Sequence, residues 1–138
     1  MISACVPCLN HWDSLPLAIE GIRRQTVPPK EILVIDDGSL HPCPNNLSEQ
    51  VPELRIIRLK ENLGRGFCRA LAVNETVGDF ILTVDATNTL EPTFVEKALP
   101  HFTNPAVAAV SGALTSINQE KVTDRWRARH LFRESSLK

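Results

Sequence analysis

The sequence predicts an α/β fold in which a mainly parallel sheet of about five strands is flanked by helices. Short β-branched runs alternate with stretches whose apolar residues recur at helical spacing, which is the pattern of βαβ units. Residues 32–35 form a continuous apolar run, as expected for a strand that helices cover on both faces. The chain has 138 residues, 43% of them hydrophobic, and this size and composition predict one globular domain.

The first predicted strand and helix follow directly from local patterns. The strand covers residues 2–6 and is expected to stop at Pro7, which cannot donate a ladder hydrogen bond. The helix covers residues 14–25, because apolar side chains recur at helical spacing from Leu15 to Ile22 and Ser14 or the residue before it can cap the first turn.

The middle of the chain predicts two more strands around a loop. The second strand covers residues 31–35 and ends in an acid pair. Residues 40–52 contain three prolines and predict a loop with at most a short helix. A third strand covers residues 54–59. The helix after it, residues 67–76, is expected to present Phe67 and its apolar neighbours on that face to the sheet.

Two further strands and one helix complete the predicted core. The fourth strand covers residues 80–84 and leads into Asp85. Pro92 opens a helix that extends to about residue 101. Residues 106–110 predict a fifth strand, which closes a core of residues 1–112.

Residues 113–138 form a basic tail that differs from the core in character. Residues 124–133 are compatible with a helix and carry Trp126, Leu131 and Phe132 among basic side chains. The pattern is typical of a solvated helix packed on the sheet, and alternatively of a segment that binds phosphate, a membrane surface or a partner. The apolar side chains predict a homo-oligomer formed through the tail.

Composition excludes several classes of function. The formal net charge is -1, aromatic residues are 5% and tyrosine is absent, so the composition argues against a nucleic-acid-binding surface. The sequence has no transmembrane run of roughly 20 apolar residues and starts without a basic leader, so we expect a cytoplasmic protein, with the basic tail open to peripheral contact with a membrane.

The four cysteines are expected to be reduced and structural. Cys5 and Cys8 match the spacing of redox and zinc motifs, but Cys5 lies inside a strand rather than at a helix start. Cys43 and Cys68 belong to no second motif that could complete a zinc site.

Candidate ligand-binding residues follow the strands of the predicted sheet. Pro7 to Asn10 follow the first strand, Asp36 and Asp37 the second, and Asp85 the fourth. The carboxyl ends of parallel strands meet at one crevice, where an acid can contact a base or ribose and Arg69 can pair with phosphate oxygens. The same acids also suit turn capping, and the glycines near Arg69 also suit a simple turn.

Several short motifs together resemble family 2 glycosyltransferases from residue 2 to about residue 112. They are Gln25-Thr26, Asp36-Asp37-Gly38-Ser39, Asn62-Leu63-Gly64 with Arg69, and Gly78-Asp79 with Asp85. The resemblance implies the Rossmann-like nucleotide-binding half of a GT-A fold over residues 1–138. It also implies transfer of a sugar, with inversion, from a nucleotide-diphosphate sugar that is usually a uridine one.

The resemblance carries roles to particular residues of the nucleotide-binding half. Pro7 and Asn10 would line the base pocket, Asp37 would contact the nucleobase, and Arg69 would help to hold the nucleotide.

Asp85 matches the first acid of the family's Asp-x-Asp motif, and Thr87 stands where the later acid holds a divalent cation. Mn²⁺ or Mg²⁺ is therefore implied by the family, but a hydroxyl is a poorer ligand for a hard cation than a carboxylate.

The resemblance also predicts that this chain is incomplete or inactive on its own. The family's general base lies in the acceptor-binding half, beyond the segment that matches, so we expect no catalytic residue here. Two alternatives stay open at this point. One is a receiver-like domain that uses Asp36, Asp37 and Asp85 to accept a phosphoryl group; the other is a non-catalytic interaction module that uses the tail.

Overall fold

The computed structural model describes residues 1–44 and 47–114. Its centre is a four-stranded parallel sheet in the order β3-β2-β1-β4. The strands are β1 (Ile2–Cys8), β2 (Glu31–Asp36), β3 (Leu54–Arg58) and β4 (Phe80–Thr83). The predicted α/β class with a parallel sheet between helices is confirmed, with four strands in the described residues rather than about five.

The helices lie between the strands, as in successive βαβ units. They are α1 (Leu15–Arg23), α2 (Leu47–Gln50), α3 (Arg65–Glu75) and α4 (Phe94–Ala98), and a 3₁₀ helix follows at Leu99–Thr103. The chain divides into two units, Met1–Pro100 and His101–Lys138. The sheet and every candidate site residue lie in the first unit. The predicted tail helix and its self-association fall on residues 115–138, outside the described residues.

The predicted fifth strand at residues 106–110 is wrong. These residues adopt no regular structure, and the Val107 N–H donates to the Asn104 carbonyl at 3.0 Å, which closes a turn that includes the first two residues of the expected strand. Ala106, Ala108 and Ala109 make up most of the run, and alanine has a low preference for strands. An apolar run in which most positions are not β-branched is therefore a weak indication of a strand.

The first strand continues through Pro7 to Cys8, two residues beyond the predicted end. Cys5 pairs with β4, and its carbonyl accepts a hydrogen bond from Val84 at 3.0 Å. Backbone N–H and C=O groups of successive residues point to alternate sides of a strand, so the ring nitrogen of Pro7 points toward β4, as the backbone groups of Cys5 do. The pairing with β4 ends at Cys5, before Pro7 is reached. The missing N–H therefore removes no bond to β2, and β1 pairs with β2 as far as Cys8.

The sheet buries apolar side chains on both faces. One cluster packs α1 against the sheet and includes Val6, Leu15, Ile19, Ile22 and Val34. The other packs α3 against the opposite face and includes Cys5, Leu33, Ile35, Cys68 and Ala72. Burial of both faces explains the continuous apolar run of β2.

The buried face of α3 differs from the predicted one. Cys68 and Ala72 are fully buried, whereas Phe67 is 46% exposed. The helix also starts two residues earlier than predicted, because Gly64 adopts a φ of 88° and forms the N-cap. The hydrogen bonds of Leu63 and Gly64 to Asp37 fix how the helix is rotated about its axis. These bonds join distant parts of the chain, so the apolar pattern of the helix does not predict them.

Gln25 joins α1 to the segment after β4. Its side-chain amide donates to the carbonyls of Gly21 at 3.0 Å and Glu91 at 2.8 Å, and its oxygen accepts from the Val95 N–H at 3.0 Å. Thr26 adds a backbone bond to Pro92 at 2.8 Å. A buried glutamine satisfied by three backbone groups holds the segment that follows Asp85 in place.

The cysteines carry no disulfide, and Cys5, Cys8 and Cys68 are buried, while Cys43 is half-buried. Burial raises the pKa of both Cys5 and Cys68 to about 11. These buried thiols match the predicted structural role. Within the described residues, no helix is both long and apolar enough to span a bilayer.

Candidate functional site

The strand order reverses between β1 and β4. The chain moves from β1 outward to β2 and β3, and then crosses back to place β4 on the other side of β1. Ligands of open α/β sheets bind at such a switch point, beyond the carboxyl ends of the strands. The pairing between β1 and β4 ends at Cys5 and Thr83, so the two strands separate beyond this point. Pro7 contributes to this separation because it has no N–H to donate toward β4.

A cleft of about 370 Å³ lies at this point. It collects residues from the ends of β1, β2 and β4 and from the segment that starts α3, namely Pro7, Cys8, Leu9, His11, Asp37, Asn62, Gly64, Arg65, Asp85, Ala86 and Thr87. Four segments that are far apart in sequence thus line one cleft. Of the strand-end residues that the sequence predicted to meet, Pro7, Asp37 and Asp85 line this cleft, whereas Asn10 and Asp36 do not.

Asp37 is buried and both of its carboxylate oxygens accept backbone hydrogen bonds. Oδ1 accepts from Leu63 at 2.7 Å and Oδ2 accepts from Gly64 at 2.9 Å. This carboxylate therefore fastens the start of α3 to the end of β2 while it lines the cleft. Each carboxylate oxygen has a second lone pair, so contact with a ligand is compatible with this arrangement.

Asp36 points to the other face of the sheet and is fully buried. Its Oδ1 accepts from the Ser39 N–H at 2.9 Å. Oδ2 lies 3.5 Å from Nε of Arg58, an ion pair that is too long for a hydrogen bond, and no described group donates to this oxygen. Arg58 also donates to the Ser39 carbonyl at 2.8 Å. Asp36 therefore supports the turn that carries Asp37 rather than lining the cleft.

Gly38 allows two loops to touch at this turn. Its φ is 75°, and a Cβ at this position would lie 2.6 Å from the Glu61 carbonyl carbon. Only glycine combines that backbone conformation with so close an approach. The glycine of the Asp-Asp-Gly-Ser motif is thus required by packing between the β2 turn and the segment before α3.

Asp85 follows β4 and lies between two arginines. Its Oδ1 is 3.0 Å from Nη2 of Arg69, and its Oδ2 is 3.3 Å from Nη1 of Arg65. The carboxylate is 30% exposed, and the two arginines are more exposed still. The structure thus brings Asp85 together with Arg69, which was predicted to hold a ligand, and with Arg65.

Asn10 holds the loop after β1. It adopts a φ of 58°, which asparagine tolerates better than most residues. Its N–H donates to Ser39 Oγ at 2.9 Å, and its side-chain oxygen accepts from Leu40 at 2.8 Å. Asn10 does not line the cleft, whereas Pro7 does. Of the two residues predicted for a base pocket, only Pro7 contacts this space directly.

Comparison with known proteins identifies the family. A family model described as glycosyl transferase family 2 matches residues 3–138. The chain belongs to glycosyl transferase family 2. The resemblance seen in the motifs is therefore confirmed, and this family assignment favours the glycosyltransferase interpretation over the receiver-like alternative.

Curated relatives of this family 2 chain carry glycosyltransferase names. An N-acetylglucosaminyltransferase of Sinorhizobium fredii is 30% identical over 135 residues, which are 93% of this chain and 32% of the relative. An N-acetylglucosaminyltransferase of Rhizobium leguminosarum bv. trifolii is 31% identical over 136 residues, which are 93% of this chain and 72% of the relative. The chain spans about a third of the length of the first relative.

Solved structures share the fold. Mannosyltransferase PcManGT from Pyrobaculum calidifontis, in complex with GDP-Man and Mn²⁺, superposes with a TM-score of 0.72 at 21% identity and covers 83% of this chain and 35% of its own. S. aureus TarS 1-349 in complex with UDP-GlcNAc superposes with a TM-score of 0.60 at 20% identity and covers 83% and 38%. These likenesses show a GT-A type of Rossmann-like fold.

The donor atoms at this site fit a divalent cation poorly. Asp85 lies two residues before Thr87, and both of its oxygens face guanidinium groups. Thr87 lines the cleft and offers a neutral hydroxyl. The described part of the chain contains no group of three His, Cys, Asp or Glu side chains that could hold a metal ion. Hard cations prefer several charged oxygen ligands, which this arrangement does not supply.

Arg65 is the functional candidate that sequence reasoning missed. It is the first residue of α3, lines the cleft and pairs with Asp85. Its position between Gly64 and Gly66 can be read from the sequence, but a basic residue in a glycine-rich turn does not by itself indicate a binding role. The spacing of four from Arg69 was a usable signal, because residues four apart share one face of a helix.

Proposed function

We propose that this chain binds a nucleotide-diphosphate sugar in the cleft at the switch point and supplies the donor-binding half of an inverting sugar transfer. The single observation that carries the proposal is the cleft itself, in which Pro7, Asp37, Arg65, Asp85 and Thr87 converge from four segments. A family 2 chain with this fold and this convergence has a place for a base, a ribose and two phosphates.

Different residues of the site suit different parts of such a donor. Pro7 and Leu9 offer an apolar wall where a base can lie, with the buried Asp37 carboxylate beside it as a hydrogen-bond acceptor. Arg65 and Arg69 offer positive charge near Asp85, where phosphates can lie. The N3–H of uracil can donate a hydrogen bond to this carboxylate, in keeping with the uridine donor that the family resemblance implies.

We further propose that the chain on its own binds a donor without transferring its sugar. General-base catalysis needs a carboxylate that can take the acceptor proton. The two described carboxylates that line the cleft are both engaged, Asp37 with two backbone N–H groups and Asp85 with two arginines. Acceptor activation would therefore need groups other than these.

Isothermal titration calorimetry of the full chain with UDP and with UDP-GlcNAc tests this function. We expect both to bind, and GDP to bind at least tenfold more weakly if the base pocket selects uracil. Failure of both uridine nucleotides to bind would overturn the proposal. Release of UDP from UDP-GlcNAc, followed enzymatically, is expected to stay at the uncatalysed rate.

A matched pair of threonine variants locates the binding site. Thr87 is exposed and lines the cleft, so Thr87→Trp would fill part of the space without disturbing the core. Thr89 is also exposed but does not line the cleft, which makes Thr89→Trp the control. We expect the first variant to weaken UDP binding more than tenfold and the second to leave it unchanged. Equal effects would place the ligand elsewhere.

A further inference from the structure

Arg65 and Arg69 form, with Asp85, a three-residue group that carries net positive charge. The carboxylate contributes one negative charge and the guanidiniums contribute two positive charges, both permanently ionised. The group therefore has a formal charge of +1 at neutral pH. A divalent cation placed beside it would meet repulsion from two guanidiniums, whereas an anion would be attracted.

The two guanidiniums keep most of their donor capacity for a ligand. Each guanidinium has five N–H donors. Arg69 gives Asp85 one hydrogen bond, through Nη2, and Arg65 gives it one through Nη1. Asp85 thus holds both side chains in place while it leaves about four donors on each for other oxygens. A diphosphate presents many such oxygens in a small volume.

The start of α3 lies at the same place, just after the N–H groups of Leu63 and Gly64 that donate to the Asp37 carboxylate. Arg65 is the first residue of this eleven-residue helix, whose first turn contains no acidic side chain and no side-chain cap. Helix starts attract anions through their uncapped N–H groups. A Cβ at Gly64 or Gly66 would meet no atom within 4 Å, so the space in front of this turn is open.

We propose that this site holds the donor's diphosphate directly with Arg65 and Arg69, in place of a divalent cation. The proposal rests on the proposed donor-binding function and states how the phosphates are neutralised. Asp85 serves here as a positioning residue for the two arginines rather than as a metal ligand. Thr87 stands where the family resemblance would place a metal-binding carboxylate.

Metal dependence separates this proposal from the more general one. UDP is titrated into the full chain in EDTA and again in MnCl₂. We expect dissociation constants that differ by less than about threefold. Binding in both solutions with at least tenfold tightening by Mn²⁺ would overturn the arginine proposal and leave donor binding intact. Absence of UDP binding in both solutions would instead overturn donor binding itself.

Arginine variants test which side chains hold the phosphates. Charge-assisted hydrogen bonds contribute roughly 1.5–3 kcal/mol, so Arg65→Gln and Arg69→Gln are each expected to weaken UDP binding by about 10- to 100-fold. Uridine, which lacks phosphates, is expected to bind these variants and the unmodified chain equally, as measured by ligand-observed NMR. A parallel loss of uridine binding would show a folding defect rather than a lost phosphate contact.

Arg24→Gln is the matched arginine control. Arg24 directly follows α1, is 72% exposed and pairs with Glu20, and it does not line the cleft. We expect its replacement to leave UDP binding unchanged. If Arg65→Gln weakens UDP binding no more than Arg24→Gln, the assignment of Arg65 is wrong.

Thr87→Asp is expected to create a metal response. A second carboxylate two residues after Asp85 would give a cation two charged ligands. UDP binding by this variant is expected to tighten at least tenfold on addition of MnCl₂, while Thr89→Asp should show no response. A Thr87→Asp chain that responds to Mn²⁺ no more than Thr89→Asp does would overturn the role assigned to Thr87.

Discussion

The carboxyl ends of β2 and β4 both carry acids, but they are built in different ways. At the end of β2, Asp36 and Asp37 are 0% and 3% exposed, and backbone N–H groups satisfy three of their four oxygens. At the end of β4, the Asp85 side chain is 30% exposed, and the partners that the described residues give its carboxylate are the side chains of two arginines. The first end is part of the folded core, and the second is a surface arrangement of charges.

This difference teaches which acids are committed to structure and which are open to a ligand. Carboxylates bonded to backbone groups cannot move without displacing the loops they hold. A carboxylate held by long, exposed side chains can exchange partners, because exposed ion pairs contribute little to stability. The β2 end therefore provides a rigid wall to the cleft, and the β4 end provides adjustable charge.

The largest expected effect comes from a methyl group added at the β2 end. Gly38→Ala would force a non-glycine residue into a φ of 75° and place its Cβ 2.6 Å from the Glu61 carbonyl carbon. Backbone strain and overpacking each cost roughly 1–3 kcal/mol. We expect a loss of about 3 kcal/mol in the free energy of unfolding, measured by urea denaturation.

Gly66→Ala is the matched control beside the β4 end. Gly66 lies in α3, and a methyl group added there would meet no atom within 4 Å, so alanine should fit and favour the helix by up to about 1 kcal/mol. Equal stability of the two variants would show that the β2 turn is less rigid than its contacts indicate.

Removal of one carboxylate from each end should give unequal losses. Asp37→Ala leaves the N–H groups of Leu63 and Gly64 without their charged acceptor, which costs about 2–3 kcal/mol. Asp85→Ala removes two partly exposed ion pairs and should cost less than about 1 kcal/mol. Chemical denaturation of both variants at one pH measures the difference. A larger loss from Asp85→Ala would reverse the comparison.

An effect smaller than the loss from Asp37→Ala is expected from a pH dependence that originates next to Asp37. Burial, the Asp37 charge and a hydrogen bond to Asp37 raise the pKa of Cys68 to about 11 from the ordinary 9.0. Because the unfolded chain loses this proton first, the stabilisation is complete below pH 9 and declines as the pH rises towards 11. We expect Cys68 to account for about 1 kcal/mol of the decline between pH 8 and 10.

Cys68→Ala tests that assignment, because it should flatten the decline without abolishing it. Cys5 also has a pKa of about 11, caused mainly by burial, and remains in the variant. Urea denaturation at pH 8, 9 and 10 gives the slopes. An identical slope in Cys68→Ala and the unmodified chain would contradict the role of this thiol.

Sequence patterns predicted the elements that depend on local periodicity. The four observed strands and the helices α1 and α3 appear within a few residues of their predicted bounds, since strand and helix periods are written in consecutive residues. Three predictions were wrong. The first strand continues through Pro7, the alanine-rich run at residues 106–110 forms no strand, and α3 buries a face other than the predicted one. Each depends on partners far away in sequence.

By itself, the sequence determined the α/β class, the residues at the strand ends and, through its motifs, the family. Tertiary structure alone decided how those residues are used. It buried Asp36 beside Arg58, tied Asp37 to the start of α3, and placed Arg65 and Arg69 on either side of Asp85. The physical reason is that charge pairing and burial depend on distances between separate segments, and only the packed sheet and helices set those distances.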